Sequence, residues 1–290
     1  MRWEGRRQSQ NVEDRRSVGQ QMVVGGGLLT LLIMVVMMFL GVDPMQIAQV
    51  APELAGPQAQ QQPRGGAKPA DDAQSTFVKT VLADTEDVWG PLFPKVFGKR
   101  YAPPTLVLFT GQVKSACGFA SAAAGPFYCP LDRKVYIDLA FYEELKRRFN
   151  APGDFAQAYV IAHEIGHHVQ NQLGIANQVQ AMRARLSERD YNKLSVRMEL
   201  QADFLAGVWA RRMAAFAGVL DEEDIREAVN AAQQIGDDRI QKRSQGYIVP
   251  DAFTHGSADQ RARWFLYGLQ TENPADIPER MDRAFQVDVP

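Results

Sequence analysis

Apolar positions along the chain fall into three regimes. From 22 to 42, "MVVGGGLLTLLIMVVMMFLGV", no residue is charged. Twenty-one residues at a rise of about 1.5 Å make a helix of about 31 Å, close to the ~30 Å hydrocarbon core of a bilayer. A buried core helix seldom runs so long without a polar face, so the pattern predicts a transmembrane helix. It exceeds the ~7–15 residues of a signal-peptide core, and no small-x-small cleavage site follows directly, so an uncleaved anchor is expected. From 43 to 74 the periodicity disappears into a Gln-, Pro-, Ala- and Gly-rich linker. From Ser75 onward it returns, and 75–290 is the expected working domain.

Within that domain, "STFVKTVLADTEDVWGPLF" (75–93) places Phe77, Val81, Val88 and Leu92 at helical spacing, with a stop expected at Gly90-Pro91 or Pro94. Short extended pieces follow: "TLVLFT" (105–110), "GPFYC" (125–129) and "KVYID" (134–138), bounded by Gly and Pro. They predict a small antiparallel sheet. Beyond Asp138 the pattern is helical over 139–149, 154–173, about 176–217, 221–242 and 257–270. The fold class is therefore α+β, mostly helical with a small sheet, preceded by one transmembrane helix.

Composition and charge narrow this picture. With 290 residues, 46% of them hydrophobic, the chain can bury one substantial core. A net charge of −2 gives no reason to expect nucleic acid as a partner. The flanks of the apolar span are asymmetric: Arg2, Arg6, Arg7, Arg15 and Arg16 precede it, and the first basic residue after it is Arg64. The positive-inside rule then makes 1–21 a cytoplasmic tail, in a single-pass protein of the inner membrane with its domain on the extracytoplasmic (periplasmic) side. Cys117 and Cys129 form no C-x-x-C pair and fit no structural zinc spacing. In an oxidising compartment a disulfide is expected, contributing up to ~3 kcal/mol.

Candidate chemistry concentrates at "DFAQAYVIAHEIGHHVQNQLG" (154–174), which holds three of the four histidines. Asp154 can cap this helix and Gly174 can end it. His163-Glu164-Ile165-Gly166-His167 matches H-E-x-x-H: on a helix, positions i and i+4 share a face, so both imidazoles can reach one cation while Glu164 can reach a water on it. Charged residues are absent from 155 to 163, as a buried site requires.

Catalytic zinc needs a third protein ligand and an open position. His168 points about 100° away from His167 and belongs at the surface or behind the ligands. His255 is a further candidate. The best is Glu199 in "SVRMELQADFLAGVWA" (195–210), where Glu199 and Asp203 lie i and i+4 on an apolar helix. Two carboxylates there are costly without a compensating cation. The natural division is Glu199 as ligand and Asp203 accepting the free N–H of a ligating imidazole, with Gly207 permitting close helix packing.

H-E-x-x-H followed 32 residues after its second histidine by E-x-x-x-D resembles the gluzincin metallopeptidases. More specifically, the chain resembles a bacterial family of neutral zinc metallopeptidases, membrane-anchored. The resemblance rests on "RWEGRRQSQNVEDRR" (2–16), "GPFYCPLDRKVYID" (125–138), "HEIGHHVQNQLG" (163–174), "ELQADFLAGVWA" (199–210) and "FTHGSADQRARWF" (253–265), nearly the whole chain. It implies a zincin-like domain, zinc on His163, His167 and Glu199, and Glu164 as catalytic carboxylate.

The expected chemistry is hydrolysis of a peptide or protein substrate by zinc-activated water, with Glu164 as general base and proton carrier. His255, in the loop before a helix with a Ser257/Gln260 capping-box spacing, is the candidate for stabilising the oxyanion; a plain surface histidine is the other reading. By analogy with other zincins the substrate backbone is expected along the edge of "KVYID". The alternatives are a membrane-tethered peptide-binding scaffold that holds zinc without hydrolysis, and a zinc amidase acting on cell-wall material.

Overall fold

A computed structural model describes residues 1–16, 72–121 and 125–289. The expected membrane span at 22–42 and nearly all of the linker lie outside the described residues. Among the described residues no helix is long and apolar enough to cross a membrane.

Helix α1 (Ala73–Phe97) opens on a reciprocal cap, in which Asp72 accepts from the Ser75 backbone N–H and the Ser75 hydroxyl accepts from that of Asp72. The helix does not stop at Pro91 or Pro94. It continues to Gly98, whose φ of 64° closes it. Burial of Val88, Trp89, Leu92 and Phe93 offsets the lost hydrogen bonds.

The extended pieces form strands β2 (Thr105–Phe109), β3 (Gln112–Ser115), β4 (Gly118–Ser121), β5 (Phe127–Cys129) and β6 (Lys134–Asp138), with β1 (Val12–Asp14) added from the N-terminal arm. The main sheet runs β1-β2-β6-β5, and β3-β4 is a separate hairpin. The sheet is mixed and not antiparallel: β1/β2 and β2/β6 are parallel, and only β5/β6 is antiparallel. "KVYID" is consequently an interior strand, in register with Leu106 through Val135 and with Phe127 through Tyr136. The edge strands of the sheet are β1 and β5. The Cys117–Cys129 disulfide is present, with Cα atoms 5.8 Å apart, and ties the hairpin to β5.

Residues 1–16 are no separate tail. Arg15 N–H donates to Leu108 O, Leu106 N–H to Asn11 O and Ser9 N–H to Lys79 O. The Trp3 ring meets Phe77 edge-on at 5.4 Å. Arg6 pairs with Asp84, Arg7 with Glu86 and Asp87, and Arg16 with Asp14 and Asp72. The arm and the domain thus share one ladder, β1 against β2. Arg16 and Asp72, described residues far apart in the chain, pair with each other.

The rest is helical: α2 (Ala140–Arg147), α3 (Asp154–Leu173), α4 (Ile175–Met182), α5 (Glu188–Ala217), α6 (Glu222–Gln234), α7 (Asp237–Gln245), α8 (Ala258–Leu269) and α9 (Ile277–Asp282). Gly236 divides the expected 221–242 run, because a Cβ there would stand 2.2 Å from Ala258 N. Helix α3 is capped by Gly153 (φ 114°) and not by Asp154. The Asp154 carboxylate instead accepts from Trp3 Nε1 at 2.8 Å, while Glu227 takes the Phe155 N–H at 3.0 Å.

Three glycines set the helix spacing that builds the site. A Cβ on Gly166 of α3 would lie 2.9 Å from Ala202 O of α5; one on Gly207 of α5 would lie 2.0 Å from Phe265 O of α8; one on Gly268 would lie 2.0 Å from Phe204 O. Helices α3, α5 and α8 therefore pack backbone against backbone. The core around them stacks Phe155 on Trp209 at 5.7 Å and sets Tyr159 edge-on to Phe265 at 5.4 Å.

Candidate metal centre

The two histidines of α3 and Glu199 of α5 converge as their helical spacing predicts. His163 Nε2 lies 3.0 Å from one Glu199 oxygen and His167 Nε2 lies 3.3 Å from the other. Ligating atoms of all three fall within 4.8 Å of one another. The far side of each ring is held. His163 Nδ1 is 2.8 Å from Asp203 Oδ1 and His167 Nδ1 is 2.9 Å from Gln170 Oε1. Gln170 is oriented by donating its amide to Met198 O at 2.7 Å and Gln201 Oε1 at 3.0 Å, which leaves its oxygen to accept. Both Nδ1 atoms thus carry the proton, and both Nε2 lone pairs face the Glu199 carboxylate.

Acceptors facing an acceptor in a buried site are satisfied by a shared cation or by a second proton on each ring. The electrostatics agree. Burial opposes a charged ring, yet Asp203 and Glu199 outweigh it and lift His163 to about 10. His167 is raised by Glu199 against the same burial cost. The histidines in turn hold Glu199 well below the usual carboxylate range despite its burial. Two imidazoles and one carboxylate form the donor set of a three-ligand zinc site with a free position, whereas magnesium and calcium prefer oxygen alone. The residues present therefore fit zinc.

Beneath His163 lies a network that sequence reasoning found only in part. Asp203, fully buried, accepts from His163 and from the Tyr159 hydroxyl, and its other oxygen takes Arg261 Nε at 2.9 Å. Arg261 Nη2 also comes within 3.3 Å of His163 Nδ1. Arg261 was absent from the expected site. Its signal was present: Ala258, Arg261, Ala262, Phe265 and Gly268 share the buried stripe of α8 at spacings of three and four.

Glu164 lines the cavity that contains His163, His167 and Glu199. His255 lines it too, and is not among the metal-ligating group. Its loop is gathered onto Asp237, whose Oδ2 accepts the backbone N–H groups of Thr254, His255 and Gly256 at 2.8, 2.6 and 3.0 Å. Asp237 Oδ1 stands 3.2 Å from His255 Nδ1, leaving Nε2 for the cavity. Against the cost of burial, the Asp237 hydrogen bond and Glu199 raise the pKa of His255. Asp237 was not singled out in the sequence, where it falls inside the expected 221–242 helix.

His168 is no ligand, but neither is it at the surface. It is 1% exposed, with Nε2 2.7 Å from Ala102 O and Nδ1 3.0 Å from the Tyr128 hydroxyl. Burial pushes its pKa down to about 4, so the ring is neutral and fastens β5 over α3.

The family model described as "Putative neutral zinc metallopeptidase" matches residues 1–278. The chain is 46% identical over 280 residues to the uncharacterized protein YpfJ of Escherichia coli (strain K12), covering 95% of this chain and 97% of that one. It is 41% identical over 252 residues to the uncharacterized protein Rv2575 of Mycobacterium tuberculosis, covering 82% of each. No solved structure matches.

Proposed function

This chain belongs to the neutral zinc metallopeptidase family, and from that premise we propose that it is a gluzincin-like peptidase with zinc on His163, His167 and Glu199. The observation that carries the reading is the pair of imidazole lone pairs aimed at one buried carboxylate, with Glu164 on the wall of the same cleft. Bound there, zinc supplies Lewis acidity that makes water a nucleophile near neutral pH and polarises the scissile carbonyl. Glu164 takes the proton of the attacking water and returns it to the leaving nitrogen. Asp203 keeps His163 in the Nδ1–H tautomer, so Nε2 remains a donor of its lone pair. His255, aimed by Asp237, offers Nε2–H to the oxyanion as the carbonyl becomes tetrahedral.

The test uses the full chain, because residues 1–16 are part of the domain. Glu164→Gln is expected to keep one zinc and lose casein cleavage, and Glu199→Gln to lose the zinc. Zinc content unchanged in Glu199→Gln removes the ligand assignment. Cleavage of peptidoglycan but not casein would make the enzyme an amidase, and zinc-dependent peptide binding without hydrolysis a scaffold.

We further propose that the 22–42 segment meets the bilayer with residues 1–16 and 72–289 on the same side; the β1–β2 ladder supports this, since a single crossing by 22–42 would part the two strands. Tags at the two ends of the chain should become protease-accessible from one and the same side of sealed vesicles. Opposite accessibility would refute this.

A further inference from the structure

The metal ligands stand between two cavities. One, of about 460 Å³, is walled by Phe141, Phe149, Ile240 and His255 and contains His163 and Glu164. The other, of about 600 Å³, lies on the far side of His167 against Leu131, Val179 and Met198. Tyr128, His167 and Glu199 line both, so the two cavities open onto one centre. Strand β5, which carries Tyr128, forms the rim over both. It pairs with β6 on one side and ends the sheet on the other.

Charge distinguishes what such a cleft can hold. A peptidase that trims chain ends must fix a free ammonium or carboxylate close to the cut with a dedicated opposite charge. Among the described residues, the larger cavity is lined by no Lys, Arg or Asp, and by no acid besides Glu199. In the smaller one Arg261 is committed to Asp203, while Glu144 and Arg148 are both exposed. Beside polar groups such as Asn177, Gln180 and Ser195 in the larger cavity and Glu164 in the smaller, each side of the metal offers an apolar cluster: Leu131, Val179 and Met198 on one, Phe141, Phe149 and Ile240 on the other.

Resting on the peptidase reading above, we propose that the chain is an endopeptidase for extended, unfolded polypeptide, taking a bulky apolar side chain on each side of the cut. The substrate lies as a strand along β5, with one apolar group against Phe141, Phe149 and Ile240 and another against Leu131 and Val179. One water is consumed: the internal C–N bond breaks, the carbonyl side leaves as a carboxylate and the nitrogen side as an amine. Large apolar residues are buried in folded proteins, so the site selects chains that have lost or not yet gained their fold.

The test compares the zinc-loaded full chain with Leu131→Asp and Ile240→Asp, whose side chains are 74% and 38% exposed and so replaceable without loss of the core. Substrates are reduced casein and decapeptides acetylated at one end and amidated at the other, with products identified by mass spectrometry. Expected are internal cuts flanked by apolar residues, and a loss of about tenfold in kcat/KM in each variant at unchanged zinc content. Cleavage confined to free-ended peptides, or a loss in only one variant, overturns the two-sided cleft while leaving a peptidase. No cut in any peptide by zinc-loaded protein overturns the peptidase reading itself, and this inference with it.

Discussion

Arginine–carboxylate pairs hold two regions of this molecule, with unlike consequences. Under the metal centre, Arg261 and Asp203 are 3% and 0% exposed, and Asp203 serves His163 and Tyr159 as well. Along the N-terminal arm, Arg7 is 48% exposed where it meets Glu86 and Asp87. Water screens the Arg7 pairs and can replace either partner, so each contributes little; under the metal neither partner can be lost without stranding a charge. The same chemistry is a removable fastening in one place and an obligate foundation in the other.

The largest test of that contrast is Arg261→Gln. It leaves Asp203 buried without its counter-charge, and the midpoint of urea unfolding should report a loss of about 3–5 kcal/mol. A double variant, Arg261→Met with Asp203→Leu, should recover much of this stability yet bind zinc more weakly, because His163 Nδ1 has lost its acceptor. Full stability in Arg261→Gln would mean that water reaches the pair.

Deleting residues 1–16 comes next. Besides the β1–β2 ladder itself, the arm makes four backbone hydrogen bonds to the domain, through Arg2, Ser9, Asn11 and Arg15. At ~1 kcal/mol each, their loss predicts about 4 kcal/mol, read as an earlier thermal midpoint with an unchanged zinc constant. Zinc lost in proportion to stability would show that the arm and the centre are one cooperative unit.

These regions also differ in how far the sequence discloses them. The span 154–173 is legible because helical periodicity, Gly174 and H-E-x-x-H are all local, and E-x-x-x-D is local to the next long helix. What was missed depends on long-range packing. Five arginines at 2–16 read as a solvated tail because no local signal says that Val12–Asp14 will find Leu106–Leu108. "KVYID" read as an edge because strand order is a property of the assembled sheet. Nothing local singles out Asp237 until the backbone of 254–256 gathers on it, and His168 stays undecided between the surface and a place behind the ligands until the hydroxyl of Tyr128 meets it.

Gly166 joins the two kinds of information: it fills a free position of the motif and also sets the α3–α5 distance. Gly166→Ala pushes a methyl against Ala202 O and should cost about 1–3 kcal/mol. Because it separates His163 and His167 from Glu199, zinc affinity should fall as well. Unchanged affinity would locate the strain away from the ligands.

Asp237→Asn has a smaller effect and tests the rim of the site. Asp237 raises His255, so the protonated, donating ring persists to higher pH than an ordinary histidine. Asparagine can still accept the three backbone N–H groups but cannot favour the imidazolium. The alkaline limb of kcat/KM should therefore move to lower pH, with stability nearly unchanged. A limb that stays in place removes His255 as the oxyanion donor.

The smallest effect belongs to Arg7→Gln. Three hydrogen-bonded partners, Glu86, Asp87 and Ala83 O, suggest on paper a strong anchor. Exposure argues otherwise: the guanidinium exchanges protein for water at little net cost, so less than about 1 kcal/mol should be lost. Whatever is lost should shrink in 0.5 M salt, where screening acts within a few ångströms, whereas the Arg261→Gln penalty should persist. Equal salt sensitivity in the two variants would dissolve the distinction between fastening and foundation, because both pairs would then be in contact with solvent.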